Sequence, residues 1–290
     1  FFMFVIIGAV IVLVSIIGGY LMEHGQLATL YQPAELVIIG GAAMGSFIIA
    51  SPKKVMKNVF GSLKKVFTAK AKGKDFYLQV LSLLFDIFAK MRKEGLLAME
   101  KDLESPDKSP VFQKYPDIIK NHHLLAFICD NLNVIVSISV QPHEIESLMD
   151  IDIEVNHESE LVAASSLTTV SDSLPGLGIV AAVLGVVVTM GKISEPPEVL
   201  GHSIGAALVG TFLGILLCYG FLGPISTNIG HLVREEGVAF HMVKVSLIAY
   251  MQTTSPQMAV EFGRRAIAGD DRPTFAELQA SIKKGGAAKK

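Results

Sequence analysis

The chain has 290 residues, of which 51% are hydrophobic and 18% are charged, and its formal net charge is −2. So large an apolar share excludes an ordinary soluble domain, and the long charged stretches exclude a chain embedded entirely in lipid. The apolar residues must therefore be segregated. The sequence predicts an all-α integral membrane protein with apolar helices and separate polar regions.

The first two apolar segments cover residues 1–22 and 33–50. A bilayer core about 30 Å thick is crossed by roughly 20 apolar residues of α-helix, so both segments are predicted to span it. The second segment has one charge, Glu35, at its outer end. The first segment could instead be a secretory signal, but it lacks a basic N-terminal region and a small-residue cleavage pattern before Glu23. We reject that alternative.

Two further apolar segments, residues 174–190 and 202–228, follow a long polar stretch. The sequence therefore predicts four transmembrane helices, none with an ionisable side chain in its interior. An ion carrier usually needs a titratable carboxyl inside the bilayer, because a group that can be neutralised carries charge through hydrocarbon at tolerable cost. If this protein moves ions, the carboxyl must come from a partner.

A basic run without any acidic residue follows the second apolar segment. Its members are Lys53, Lys54, Lys57, Lys64, Lys65, Lys70, Lys72 and Lys74. The excess of lysine predicts that this side of the bilayer is cytoplasmic. The short connections, residues 23–32 and 191–200, hold a single Lys or Arg between them, Lys192, and are predicted on the opposite side. Both termini are then cytoplasmic.

The polar regions, residues 51–170 and 229–290, are predicted to be a helical cytoplasmic domain and a cytoplasmic C-terminal extension. Residues 53–74 have an amphipathic pattern, which predicts a helix that either lies against lipid headgroups or packs on the rest of the loop. Residues 76–91 predict a second amphipathic helix, which ends at Gly95.

The sequence contains no recognisable motif of covalent catalysis. It has no glycine-rich phosphate loop, no nucleophile elbow and no paired zinc ligands, so it predicts no enzyme, no cofactor and no metal site. His122 and His123 lie on different helical faces and are interpreted as solvated. Cys129 and Cys218 fall in different predicted compartments, which argues against a disulfide. The basic run adjoins a span and lacks interleaved aromatic residues, so nucleic acid is not a predicted partner.

Small residues recur four positions apart in the second, third and fourth spans, a spacing that allows helices to approach closely. The pairs are Gly41 with Gly45, Gly178 with Ala182, Ala206 with Gly210, and Gly210 with Gly214. This pattern predicts an oligomer or a tightly packed partner helix. Packing among the four spans themselves is the alternative.

Two prolines and one threonine stand out in the spans. Pro175 follows a polar stretch at the start of the third span, where a first-turn proline behind a cap is expected. Pro224 lies near the cytoplasmic end of the fourth span and predicts a kink that could act as a hinge. The hydroxyl of Thr211 is expected to donate a hydrogen bond to the carbonyl of Ala207, one turn earlier.

Several sequence stretches are typical of one protein family and not merely of membrane proteins in general. LYQPAELVIIGGA follows the first span, DSLPGLGIVAAVLGVV lies in the third, LVGTFLGILLCYGFLGPI lies in the fourth, and VEFGRRAI and DRPTF lie in the C-terminal region. Together they resemble MotA, the A-subunit family of the bacterial flagellar stator, over essentially the whole chain. The resemblance implies functional prolines at Pro175 and Pro224, and it implies that Thr211 lies beside the ion-carrying aspartate of a B subunit. It also implies that Arg92 and Glu100 contact the rotor, although charge alone fits ordinary solvated residues.

The resemblance further implies a multi-pass protein of the bacterial inner membrane and a set of partners. These are a MotB-like B subunit that supplies the aspartate, a FliG-like protein of the rotor's switch ring, and further copies that form a pentamer around a B dimer. Proton binding and release at the aspartate would permit stepwise rotation. Sodium-driven relatives carry threonines where this chain has Ala182 and Gly210, so the sequence predicts protons.

Two other functions remain open from the sequence. An energiser of outer-membrane transport, similar to ExbB or TolQ, also uses a carboxyl supplied by a partner, but such proteins have three spans. The four apolar segments and the stretch from Arg92 to Glu100 favour the stator. A non-conducting membrane scaffold is the second alternative, and it would make Thr211 and Pro175 dispensable.

Overall fold

The structure, a computed structural model, describes residues 2–68, 72–138 and 140–287. These residues form helices and connecting turns, and no strand occurs among them. Four helical segments are long and apolar enough to cross a membrane: Met3–Met22, Leu27–Ala50, Pro142–Met190 and Pro197–Thr253. The prediction of an all-α protein with four transmembrane helices is confirmed.

The described chain divides into two units. The first comprises residues within 1–70 and 159–232. Its complete helices are α1 (Phe2–Met22), α2 (Leu27–Leu30), α3 (Pro33–Ala50), α4 (Lys53–Thr68) and α10 (Pro197–Ile215), and a π-helical segment covers Leu216–Leu222. It also contains the C-terminal part of α9 (Pro142–Met190) and the beginning of α11 (Gly223–Thr253).

Local sequence signals fix both ends of α3. The helix begins at Pro33, where a proline loses nothing because a first-turn N–H has no partner within the helix. It ends at Ala50, because Ser51 precedes a proline and is extended, with φ −120° and ψ 126°. The same helix packs on α9 and α10 around a small apolar core of Ile39, Ala43, Leu174, Ala181 and Cys218.

The amphipathic helix α4 forms but is shorter than predicted, since it ends at Thr68. Val59 is buried and packs with Phe47 of the second span and Ala163 of α9. Part of its apolar face is therefore covered by protein, in keeping with the second of the two alternatives, whereas Phe60 is 57% exposed. Lys70 of the basic run lies outside the described residues.

The second unit comprises residues within 71–158 and 233–290. Its complete helices are α5 (Lys74–Glu94), α6 (Glu100–Glu104), α7 (Pro116–Ile119), α8 (His122–Ser137), α12 (Pro256–Ala266) and α13 (Phe275–Ala287). The N-terminal part of α9 and the remainder of α11 also belong to it. Gly95 ends α5 with φ 87°, and its N–H donates to the carbonyl of Met91. The amphipathic helix with a glycine at its end is confirmed.

The core of this second unit forms around α5. The rings of Phe88 on α5 and Tyr250 on α11 stack with centroids 4.4 Å apart. A Cβ atom added to Gly263 of α12 would lie 2.0 Å from the Ser246 hydroxyl and 3.1 Å from the Leu81 side chain. Such close packing on several sides shows that these polar regions form a folded helical domain rather than a linker.

Candidate ion-path site

α9 and α10 approach each other until their backbones touch. A Cβ atom added to Gly214 would lie 2.5 Å from the carbonyl oxygen of Leu174, and one added to Gly178 would lie 2.8 Å from that of Gly210. Real Cβ atoms essentially never come within 3.0 Å of another heavy atom. The small residues of the third and fourth spans therefore pack within the chain, which was the alternative to an oligomer contact.

The glycines of α3 have a different environment. Among the described residues, nothing lies within 4 Å of a Cβ atom added to Gly41 or to Gly45. The close helix approach predicted for this pair is therefore not made within the part of the chain that the structure describes. This part of α3 remains available to lipid or to another helix.

Three residues singled out in the sequence meet in the α9–α10 contact. A Cβ atom added to Gly210 would lie 3.2 Å from the backbone nitrogen of Ala182. The Cα atom of Thr211 lies 3.2 Å from the Cβ position of Gly178. The fold therefore brings Ala182, Gly210 and Thr211 together, although α9 and α10 are joined by a connection at the end of the third span.

The hydroxyl of Thr211 is not bonded as expected. Thr211 is half-buried, and no hydrogen bond among the described residues involves its hydroxyl, so the predicted bond to the Ala207 carbonyl is wrong. Thr189 on α9 shows the usual arrangement, because its hydroxyl donates to the Gly185 carbonyl at 2.9 Å. A partly accessible hydroxyl can be satisfied from outside the chain, so Thr211 does not need the local bond.

Glu35 lies inside the bundle and not in the water at its outer end. It belongs to the first turn of α3 and is 7% exposed, and its side-chain oxygen Oε2 has no hydrogen-bond partner among the described residues. That oxygen lies 2.6 Å from the Cβ position of Gly210. Glu35 is at the end of its span, as the sequence indicated, but the sequence did not indicate that its carboxyl is buried among the helices.

Pro175 lies in the interior of a helix, not at its first turn. α9 is continuous from Pro142 to Met190, so the predicted polar cap before Pro175 is wrong. The reason is that the polar residues ahead of the third span are themselves helical. A proline at this position cannot donate to the carbonyl of Ser171, four residues earlier, which weakens the helix locally.

Pro224 follows directly on a change of helix type. The π-helical segment Leu216–Leu222 precedes it, and the Gly223 N–H donates to the carbonyl of Cys218, five residues earlier. The hydroxyl of Ser171 donates to the same carbonyl at 3.2 Å. π-helical turns are rare and are often found at functional sites. The sequence predicted a kink at Pro224 but did not indicate the wider turn before it.

Polar contacts join α9 to the beginning of α11 beside this turn. The Ser226 hydroxyl donates to the carbonyl of Ala164 at 2.8 Å, and it lies 2.6 Å from the hydroxyl of Thr168. A cavity of about 530 Å³ adjoins these contacts. Its lining includes the polar side chains of Thr168, Ser171, Asp172, Tyr219, Thr227, Asn228 and His231. Sequence patterns did not predict this polar cluster.

Arg92 and Glu100 lie in the second unit, near the end of α5 and at the start of α6, and both are exposed. Neither forms an ion pair with another residue in the described ranges. Arg92 lines a cavity of about 470 Å³ whose other walls include Leu96 and Tyr250. Burial raises the pKa of Tyr250, and the positive charge of Arg92 opposes that rise.

A buried carboxyl holds the segment that carries Glu100. Asp102 is 6% exposed, accepts a hydrogen bond from the Ser109 hydroxyl at 2.7 Å and forms an ion pair with Lys90 of α5. The segment is therefore tied to α5 two residues after Glu100. No group of three or more potential metal-binding side chains was found among the residues that the structure describes.

Taken together, the long apolar helices and the close α9–α10 contact define a multi-pass helical membrane protein. Residues 6–95 match the family described as Motility protein A N-terminal, and residues 120–242 match the MotA/TolQ/ExbB proton channel family. Motility protein A of Escherichia coli (strain K12) is 44% identical over 282 residues, which cover 97% of this chain and 95% of that protein. Chemotaxis protein LafT of Vibrio parahaemolyticus is 34% identical, with coverage of 94% and 96%.

Two solved structures have the same fold. The C. jejuni MotAB structure matches with a TM-score of 0.76 at 19% identity and covers 93% of this chain and 98% of its own. The flagellar MotAB stator complex from Bacillus subtilis matches with a TM-score of 0.74 at 22% identity, with coverage of 94% and 99%.

The chain belongs to the motility protein A branch of the MotA/TolQ/ExbB proton channel family. It is a multi-pass protein of the bacterial inner membrane and a stator subunit of the flagellar motor, where it forms part of a proton channel. This is a motility and channel family and not a known enzyme family.

Proposed function

We propose that this chain is the A subunit of a proton-driven stator in which a pentamer surrounds a dimer of MotB-like subunits. The observation that carries the proposal is the 44% identity to Motility protein A over 97% of the chain. The α9–α10 contact adds a physical argument, because it offers a hydroxyl, on Thr211, that has no partner in the described chain. The B subunit supplies the carboxyl that carries the ion.

The ion path runs along Thr211 and the neighbouring positions Ala182 and Gly210. A proton that binds the aspartate of the B subunit neutralises it, and the Thr211 hydroxyl would donate a hydrogen bond to that carboxylate when it is charged. Each charge that crosses the membrane releases about 2.3 kcal/mol per 100 mV. That energy biases the rotation of the A ring around the B dimer. No covalent catalysis and no cofactor belong to the proposal.

Pro175 and Pro224 are the points at which the spans bend during a step. Pro175 interrupts hydrogen bonding inside α9, and Pro224 follows the π-helical segment. Both helices therefore have a locally weakened backbone where a change in curvature costs least. Bending there would transmit the state of the ion site to the polar regions of the chain.

Arg92 and Glu100 form the contact with a FliG-like protein of the switch ring. Both side chains are exposed and of opposite charge, and their backbone is held by α5 and by the buried Asp102 pair. Exposed charges on a rigid backbone suit a contact that forms and breaks repeatedly, because electrostatic complementarity speeds association. The lysine-rich run supports a cytoplasmic position for this region and for both termini.

Protons are favoured over sodium because, of the side chains at positions 182, 210 and 211, only that of Thr211 offers an oxygen ligand. Sodium is a hard cation that needs several oxygens, whereas Ala182 and Gly210 provide no side-chain oxygen. The test is swimming speed in sodium-free medium, in a strain that lacks its own stator and carries this chain with its B subunit. Loss of rotation without sodium contradicts the proton assignment.

A mass measurement tests the assembly. The complex purified with its B subunit is expected to have the mass of a pentamer plus a dimer, and a different ratio rejects that stoichiometry. Co-purification of a peptidoglycan-binding partner supports the stator. A periplasmic link to an outer-membrane transporter would instead support the energiser, which the four spans disfavour.

A further inference from the structure

An apolar cavity lies between α3, α4, α9 and the π-helical segment of the fourth span. Its volume is about 320 Å³, and none of the residues that line it has a polar or charged side chain. Gly40 and Met44 of α3 and Phe60 of α4 belong to its lining and are exposed. A Cβ atom added to Gly40 would meet no described atom within 4 Å. The cavity is therefore open to an apolar chain from outside the protein, and its volume falls within the range of about 300 to 1,000 Å³ that is usual for ligand sites.

The cavity has the depth of one leaflet of the bilayer. Gly40 lies about 15 Å before the end of α3 at Ala50, because each residue of an α-helix advances about 1.5 Å. That distance is half of a hydrocarbon core about 30 Å thick. α4 begins at Lys53, shortly after α3 ends, on the lysine-rich side of the bilayer. The cavity is therefore placed to hold an acyl chain from the leaflet on that side.

Three lysines share the helical stripe of Phe60 on α4. They lie seven and three residues before Phe60 and four residues after it, spacings that place side chains on one face of a helix. The three are Lys53, Lys57 and Lys64. All are exposed, and none forms an ion pair within the ranges that the structure describes. Lys65, which lies off this stripe, instead pairs with Glu160 at 3.8 Å.

Negative charge is scarce around these lysines. No acidic residue occurs in the sequence between Glu35 and Asp75. A basic stripe beside an apolar cavity at the membrane boundary fits a molecule that brings an anionic group and an apolar chain together. An anionic phospholipid has both, at the depth where the lysines and the cavity lie.

We propose that this cavity and the three lysines form a binding site for an anionic phospholipid. One acyl chain fills the apolar cavity and packs against Phe60, and the headgroup phosphate lies among Lys53, Lys57 and Lys64. Burial of the acyl chain and attraction of the phosphate both favour the bound state. The inference goes beyond the proposed function and rests only on the membrane-spanning fold.

The test measures lipid binding to the full chain, purified from membranes with any subunit that accompanies it. Native mass spectrometry after washing in mild detergent is expected to show phosphatidylglycerol retained by the wild-type complex. Titration is then expected to show at least about tenfold tighter binding of phosphatidylglycerol than of phosphatidylcholine, because only the former has a net negative charge. Inorganic phosphate, which has no acyl chain, is expected to bind far more weakly. Equal binding of the two lipids, or phosphate binding as tight as that of phosphatidylglycerol, overturns the proposal.

Lysine substitutions test the headgroup contact. The triple variant Lys53→Gln, Lys57→Gln and Lys64→Gln is expected to bind phosphatidylglycerol at least about tenfold more weakly than the wild-type complex. The matched control removes the same charge from three exposed positions of the second unit, with Lys108→Gln, Lys120→Gln and Lys283→Gln. Its affinity for phosphatidylglycerol is expected to be unchanged. Equal weakening in both triple variants would mean that net charge alone attracts the lipid, and would overturn the site.

A substitution in the cavity tests the acyl-chain contact. Gly40→Leu is expected to fill the cavity and to weaken phosphatidylglycerol binding at least about tenfold, with the amount of chain in the membrane unchanged because the leucine enters open space. Gly8→Leu, in α1 and away from the cavity, also enters open space and is expected to leave binding unchanged. Normal binding by Gly40→Leu overturns the proposal. So does a wild-type complex that retains no phosphatidylglycerol but loses chains on Gly40→Leu, because a second copy then covers the cavity.

Discussion

The hydroxyl of Ser171 on α9 donates a hydrogen bond to the backbone carbonyl of Cys218 at 3.2 Å. That carbonyl also accepts the π-helical bond from the Gly223 N–H, and it lies beside the cavity next to Pro224. The bond therefore links the third span to the wider turn of the fourth. It joins the two segments that our proposal assigns to bending.

Removal of that link is expected to destabilise the protein. Ser171→Ala loses one buried hydrogen bond, which contributes about 1 kcal/mol, and the thermal midpoint of the purified complex should fall. Ser173→Ala is the control, because the Ser173 hydroxyl donates to the Val170 carbonyl within the same helix. A midpoint that falls equally in both variants would show that the inter-helix bond has no special contribution.

The buried pair of Asp102 and Lys90 is expected to be needed for the shape of the segment that carries Glu100. Asp102→Ala leaves a partly buried lysine and the Ser109 hydroxyl without their acceptor. Breaking a buried pair in this way typically costs about 3 kcal/mol, so a clear loss of thermal stability should follow. Asp107→Ala, at an exposed position nearby, should have little effect. Similar losses in both variants would contradict the assignment.

Glu261 gives the second unit a defined pH dependence. Hydrogen bonding from Arg264, at 2.7 Å and 2.8 Å, holds the pKa of this carboxyl below its ordinary value. A carboxyl whose pKa is lowered in the folded state stabilises the fold at pH values above its pKa in the unfolded chain. That contribution is lost as the pH falls through its pKa in the folded state. Glu261→Gln should therefore cost about 2 kcal/mol near neutral pH, as expected for a hydrogen bond to a charged group.

The measurement is the difference in thermal midpoint between the wild-type chain and Glu261→Gln at several pH values. The difference should shrink as the pH falls from about 4 through the lowered folded-state pKa of Glu261, below which both forms are uncharged at this position. Glu154→Gln, at an exposed position, serves as the control and should show no such trend. A difference that stays constant down to low pH would rule out the charged form of Glu261 as its source.

The sequence predicted what depends on long, regular patterns. Apolar length predicted the spans, and helical periodicity with Gly95 predicted α5 and its end. The sequence did not predict where individual polar groups point. A glutamate at a helix start, such as Glu35, can be exposed to water or buried among the helices. Only the space left by Gly185 and Gly210 decides between the two. The Thr211 hydroxyl and the π-helical turn before Pro224 likewise depend on neighbours that are distant in the sequence.

Thr211→Val is expected to abolish motility while the complex still assembles. Valine has the same shape but no hydroxyl, so it removes the group that our proposal places beside the B-subunit carboxyl. Thr211→Ser should retain part of the swimming speed. Thr189→Val is the control, because the Thr189 hydroxyl is already bonded within its own helix at 2.9 Å. Normal motility of Thr211→Val and of Pro175→Leu would instead favour the non-conducting scaffold.

Arg92→Glu is expected to weaken torque without blocking proton flow. Arg92 and the ion-path residues lie in different units of the chain, so a surface charge in one should not alter the ion site in the other. Torque can be measured on tethered cells, and proton flow as acidification of cells that express the complex. Lys93→Glu places the same charge one residue further along the exposed end of α5 and should have a smaller effect.

Glu100→Lys should resemble Arg92→Glu, because both substitutions reverse a charge on the surface proposed to meet the rotor. Unchanged torque in both variants would count against that surface, whereas loss of proton flow would show that the two units are not functionally separate.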